Sequence, residues 1–205
     1  MFSRSFGASA LRRAAVMLAA VHFFVQPVRA QHRHAERDLA SVPIGREALV
    51  IPDVTLVDQD GRTIRFYSDL VKGHVVAVNF VFTTCTTICP VMAANLKKLR
   101  ELVGDSVHLI SVSVDPQVDT PERLKAWAAQ FHVGPPWTLV TGPKLEVDRL
   151  LKSLRVFTAD KQDHQAVVLI GSGTDKGWIR ANALAAPSKL AELVTEVRTE
   201  MKEAK

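Results

Sequence analysis

The chain has 205 residues, 47% apolar and 23% charged, with 10 Gly and 10 Pro. That balance excludes collagen-like, low-complexity and wholly disordered chains and suits one globular domain. Most of the formal charge of +5 comes from Arg4, Arg12, Arg13 and Arg29, which stand in residues 1–30 with no acid; the rest is nearly neutral, without the basic stripe that nucleic-acid binding needs.

In chain order, Arg4, Arg12 and Arg13 precede a 12-residue, mostly apolar run at 14–25, and Val28-Arg29-Ala30 follows as a small-residue site. The pattern predicts a secretory signal over 1–30. An uncleaved N-terminal anchor is the second reading and an organellar presequence the third. The run falls short of the roughly 20 residues that span a bilayer. It places the protein outside the cytosol, in the periplasm ahead of the mitochondrial intermembrane space, with a membrane tether if the segment stays attached. Residues 31–47 are polar and read as a tether, and 48–205 as the folded domain.

Within that domain, 54–57 and 63–66 predict an N-terminal β-hairpin turned at Asp60-Gly61. Residues 74–82 (HVVAVNFVF) are nearly continuous β-branched and aromatic sequence, the mark of a strand buried on both faces. Residues 91–103 carry apolar side chains at Met92, Leu96, Leu99 and Val103, a helical period with Pro90 at the expected first position. A strand follows at 107–114. Asp119-Thr120-Pro121 then supplies a cap and a proline start for a helix over 122–131. Further expectations are a strand at 137–140, a helix at 143–154, a strand at 166–170 with a hairpin partner at 177–181, and an amphipathic helix at 187–202. The order predicts an α/β fold with a mostly parallel central sheet and helices on both faces.

The two cysteines, Cys85 and Cys89, lie in the turn between the central strand and the helix after it. A helix N-terminus presents unpaired N–H groups and a positive dipole end, which favour thiolate. At a spacing of four, both sulfurs share a side if the turn is already helical. Three readings remain open for such a pair: a reversible disulfide that exchanges with a partner's thiols, a soft-metal site suited to Cu(I), or an inert structural pair. Of the seven histidines, only His164 has a positional argument. It directly precedes the strand at 166–170, which in a thioredoxin-like sheet lies beside the cysteine-bearing strand, so that the loop before it faces the cysteine turn.

The segment Val78-Asn-Phe-Val-Phe-Thr-Thr-Cys-Thr-Thr-Ile-Cys-Pro90 resembles the CxxxCP segment of the Sco/SenC family of copper-assembly proteins. Ser113-Val-Asp-Pro116, Asp119-Thr-Pro121, Trp137 with Thr141-Gly142, and Asp163-His164 agree in order, so the likeness runs over roughly residues 48–200. The resemblance implies a thioredoxin-like fold and copper, as Cu(I) or Cu(II), held by Cys85, Cys89 and His164, with Asp163 behind the histidine. It also implies delivery of copper to the binuclear copper site of cytochrome c oxidase, or upkeep of that site's thiols. The partners would then be the copper-receiving oxidase subunit or its assembly factors, and a thiol reductant. The stretch 159–165 (ADKQDHQ) is more charged than is usual in that family. The alternative is a thiol–disulfide oxidoreductase or redox sensor that uses the Cys85/Cys89 pair without obligatory metal. Against it stand the spacing, one residue longer than C-x-x-C, and Asp163-His164 where thioredoxins place a cis-proline.

Overall fold

A computed structural model describes residues 42–174 and 176–204. The expected signal at 1–30, and the tether as far as residue 41, lie outside the described residues. Among the described residues no helix is long and apolar enough to cross a membrane.

Among the described residues eight strands form one sheet: β1 (Gly45–Glu47), β2 (Thr55–Asp58), β3 (Thr63–Arg65), β4 (Val75–Val81), β5 (His108–Ser113), β6 (Trp137–Thr141), β7 (Val167–Ser172) and β8 (Trp178–Asn182). Their order across the sheet is β1-β8-β7-β4-β5-β6-β2-β3. The helices are α1 (Ile88–Val103), α2 (Pro121–Gln130), α3 (Lys144–Ser153) and α4 (Pro187–Glu203). All seven residues of β4 are buried, and successive side chains enter opposite cores. Val75, Ala77 and Val81 pack with Met92, Leu96, Trp127 and Leu193 from α1, α2 and α4. Val76, Val78 and Phe80 pack with Phe66, Val147 and Leu150 on the other face, under α3 and a π-helical turn at Phe66–Val71. Burial on both faces is why the strand reads as an unbroken apolar run rather than as an alternation.

The fold is the expected thioredoxin-like α/β arrangement, and its sheet is mixed. Parallel pairing is confined to β4, β5 and β6, the strands joined through helices. Both flanks are antiparallel. The short connections β2–β3 and β7–β8 permit nothing else, because a parallel return needs a long crossover. In the first hairpin Gly61 has φ +78°, a conformation open to glycine at little cost. Most element ends fall within one or two residues of the sequence expectation, and two differences bear on the architecture. Helix α1 starts at Ile88, so Pro90 is its third residue, still among the N–H groups that no carbonyl inside the helix can reach. Gly45–Glu47, read as tether, pair with β8 as an edge strand.

That edge is fastened by charge. Arg180 donates from Nε to Glu47 Oε1 at 2.5 Å and from a terminal nitrogen to the Leu154 carbonyl at 2.9 Å, tying β1 and β8 to the end of α3. The hydrogen bond from Arg180 holds the Glu47 carboxyl below the usual glutamate range, with burial opposing it. A depressed carboxyl contributes stability above its unfolded pKa and loses it as pH falls through the folded value. Glu47→Gln is therefore expected to cost about 1–2 kcal/mol at neutral pH. In urea unfolding the gap between variant and wild type should stay constant above about pH 5 and close below about pH 4; a gap that persists in acid would contradict the charge-based assignment.

Candidate functional site

Strand β4 runs into Phe82, which is buried, and the chain then turns through Thr83–Thr87 into α1. The turn is shaped around a sulfur. Thr87, the N-cap of α1, makes no side-chain bond to the helix; its hydroxyl lies 3.9 Å from Cys85 Sγ. The backbone N–H of Cys89, one of the unpaired donors of the first helical turn, donates to Cys85 Sγ at 3.4 Å. Cys85 thus takes the place that a capping oxygen would fill, and the helix end supplies the partial positive charge that steadies a thiolate.

The two thiols are inequivalent. Burial works against ionisation of Cys85, but hydrogen bonds from the Cys89 side chain and N–H and from Thr87 outweigh it and draw the thiol below its ordinary value. Cys89 is wholly buried. Burial first, then its hydrogen bond with Cys85 and the nearby charge of Asp119, push its thiol well up. Both cysteines are free thiols.

His164 reaches the same point from a remote loop. Because β7 is antiparallel to β4, with Asn79 opposite Val168, the start of β7 lies beside the end of β4. The loop before β7 closes in a 3-10 turn at Lys161–Asp163 and delivers His164, which is 9% exposed. Its Nδ1 is 2.9 Å from the Lys161 carbonyl, which can only accept, so Nδ1 carries the proton. Nε2 is left with its lone pair 3.8 Å from Cys89 Sγ. Burial lowers the imidazole pKa and the bond to Lys161 partly offsets this, so the ring stays neutral. The edge-to-face contact with Phe82, centroids 5.3 Å apart, fixes the ring plane.

The structure therefore brings Cys85, Cys89 and His164 together. Asp163 is exposed, and the partner of the ring's second nitrogen is the Lys161 carbonyl rather than the Asp163 carboxylate. His74 and His108 meet edge to face, centroids 6.0 Å apart, at the opposite end of the sheet. His22, His32 and His34 lie outside the described residues. Among the described residues no group of three or more His, Cys, Asp or Glu side chains is placed to hold a metal ion as it stands. One pair of donors nonetheless stands at a separation that suits a shared metal ion. Metal–sulfur and metal–nitrogen bonds of about 2.3 and 2.0 Å place the two donors about 3.5–3.7 Å apart in tetrahedral or trigonal geometry, close to the 3.8 Å between Cys89 Sγ and His164 Nε2.

Sequence reasoning missed the support beneath the cysteine turn. Asp119 is 1% exposed. Its carboxylate accepts from the Thr83 N–H at 3.1 Å, the Thr83 hydroxyl at 2.6 Å and the Ser113 hydroxyl at 2.6 Å, pinning the turn to the end of β5. In sequence it reads as a residue of the helix start, and Thr120 does make that cap, accepting from the Arg123 N–H.

A family model described as SCO1/SenC matches residues 44–175. The chain belongs to the SCO1/SenC family. Among curated relatives, the SCO1 homolog of Bacillus subtilis is 33% identical over 120 residues, 56% of this chain and 61% of that protein. A protein of Stutzerimonas stutzeri named for copper binding is 31% identical over 188 residues, 83% of this chain and 88% of the relative. Against the SCO2-like proteins of Rickettsia species the match spans about half of each relative's length. Among solved structures, BsSco, described with a disulfide switch and as a member of the Sco family of cytochrome c oxidase assembly proteins, superposes with a TM-score of 0.65 at 27% identity, over 76% of this chain and 96% of that one. Copper-bound ScoI of Bradyrhizobium japonicum gives a TM-score of 0.60 at 25% identity, over 72% and 99%.

Two outcomes follow for this Sco protein. Asp119→Asn places an amide against three donors and is expected to cost about 1–3 kcal/mol in urea unfolding; no loss would mean that the carboxylate is not holding the turn. With limiting iodoacetamide, peptide mapping should find Cys85 alkylated well before Cys89, and equal rates would contradict the burial and polarity described for the pair.

Proposed function

We propose that this Sco protein carries copper on Cys85, Cys89 and His164 outside the cytosol, and that it passes the metal to the binuclear copper site of cytochrome c oxidase or keeps that site's thiols reduced. The convergence of a remote imidazole on a dithiol, with Nε2 at 3.8 Å from Cys89 Sγ and Nδ1 already engaged, carries this reading. A disulfide exchange enzyme has no need of a buried ring held with its lone pair toward the sulfur. A copper carrier does. Two thiolates suit Cu(I), and the added imidazole extends the set to Cu(II). The relatives named for copper, and the copper-bound ScoI, support it further.

As cargo, copper is released by ligand exchange: a recipient thiolate attaches as one donor leaves, so the ion is never bare. Binding requires both sulfurs deprotonated, and oxidation of the pair to a disulfide withdraws two electrons and both thiolate donors, which couples loading to redox state. The positively charged, apolar N-terminal segment supports export, with or without a retained anchor.

One observation favours a second reading, thiol–disulfide exchange without metal. A thiol drawn toward ionisation, paired with a fully buried one whose ionisation is opposed, is the arrangement of an attacking and a resolving cysteine. Copper per chain after anaerobic desalting separates the two. Cys85→Ser and Cys89→Ser should each abolish Cu(I) retention, while His164→Ala should weaken Cu(II) binding at least tenfold and alter its thiolate-to-copper absorption, with unfolding stability largely retained. Unchanged copper spectra in His164→Ala, together with full reductase activity toward oxidised dithiol substrates, would favour the exchange reading.

A further inference from the structure

The loop that delivers His164 is anchored by a side chain with no part in the donor set. Lys161 opens the 3-10 turn, and its carbonyl receives both the His164 Nδ1–H at 2.9 Å and the His164 backbone N–H at 3.4 Å. Its ammonium crosses to Asp115 Oδ2 at 2.5 Å. On the way it lies over the Phe82 ring, 5.3 Å from the centroid, and Phe82 is the ring that meets His164 edge to face. Asp115 is itself fixed. Its N–H donates to Ser113 Oγ at 3.1 Å, and its carbonyl accepts from the N–H groups of Val118 and Asp119. The histidine loop is therefore latched to the same polar cluster that pins the cysteine turn, and the latch is one lysine side chain.

We propose that Lys161 is the positioning residue of His164: its ion pair with Asp115 and its seat on Phe82 hold in place the carbonyl that orients the ring, so that Nε2 faces Cys89. The inference deepens the copper reading and rests on His164 being a donor. The group bonded to the second nitrogen of a ligating histidine governs metal affinity by about 10- to 100-fold. Here that group is a main-chain carbonyl, which substitution cannot remove, so the side chain that places it is the accessible lever. The pair is only partly shielded, with side-chain exposures of 31% and 13%, so its loss loosens the loop without threatening the fold.

The test compares wild type, Lys161→Met, Lys161→Arg and His164→Ala by two measurements. In the metal-free protein, Lys161→Met should speed amide hydrogen exchange at Asp163 and His164 by about five- to tenfold, the scale of one ion pair plus one cation–π contact, and Lys161→Arg should restore protection. With copper(II) bound, Lys161→Met should dissociate about tenfold faster or more and shift the thiolate-to-copper absorption toward that of His164→Ala, again with rescue by arginine. Unchanged exchange in Lys161→Met would overturn the latch. Faster exchange with wild-type copper behaviour, while His164→Ala is impaired, would overturn the positioning role and leave the donor assignment standing. If His164→Ala itself binds copper as wild type does, the donor reading fails and with it the positioning role, whereas the exchange data still decide whether the loop is latched.

Discussion

The antiparallel pairing of β7 with β4 is the constraint on which the site depends. Strand β4 ends at the cysteine turn, so only a neighbour running the other way can begin there. With Val168 opposite Asn79, the loop before β7 opens beside the turn after β4, and residues 75 apart in sequence come within 3.8 Å. A parallel β7 would carry its preceding loop to the far end of the sheet, where His74 and His108 lie. Burial of β4 on both faces makes this pairing rigid, because a slip of one residue would exchange the side chains of the two cores.

On that frame, local electrostatics divide the work among the three groups. The first turn of α1 turns an unpaired N–H toward Cys85, and the sulfur serves as the helix cap that Thr87 does not provide. Cys89, the second residue of the helix, is sealed in the core, where a lone thiolate is costly. The neutral His164 ring offers a lone pair to that buried sulfur: it can accept the S–H proton, or share a cation with the deprotonated sulfur. A cation bridging the sulfurs and the ring would offset the desolvation that holds Cys89 protonated. The same dithiol is therefore compatible with metal loading and with thiol exchange, and the proposed copper reading rests on the imidazole beside it.

Much of this was legible from residue order. The apolar run of β4, the cysteine turn and the 3.6-residue period of α1 each carry their own local signal, and His164 stands out by its place before a strand. Other features carry no local signal. A three-residue edge strand such as Gly45–Glu47 is too short to show alternation, so it read as tether. Pro90 is compatible with any position in the first helical turn, so it marked the start of α1 only to within two residues. Asp119 reads in sequence as part of a helix start, nothing local singles out Lys161, and Asp163, adjacent to the histidine, looks the better partner for the ring.

The amino-acid order by itself determined the element types, the α/β class, the family likeness and the chemical identity of two thiols at a helix mouth, because each depends on periodicity or on neighbours a few residues apart. Tertiary structure decided which nitrogen of His164 faces the sulfur, which cysteine ionises more readily, and which carboxylate and lysine hold the two loops in place. Those outcomes turn on distances between segments far apart in the chain, and on the burial that only the assembled sheet and helices create.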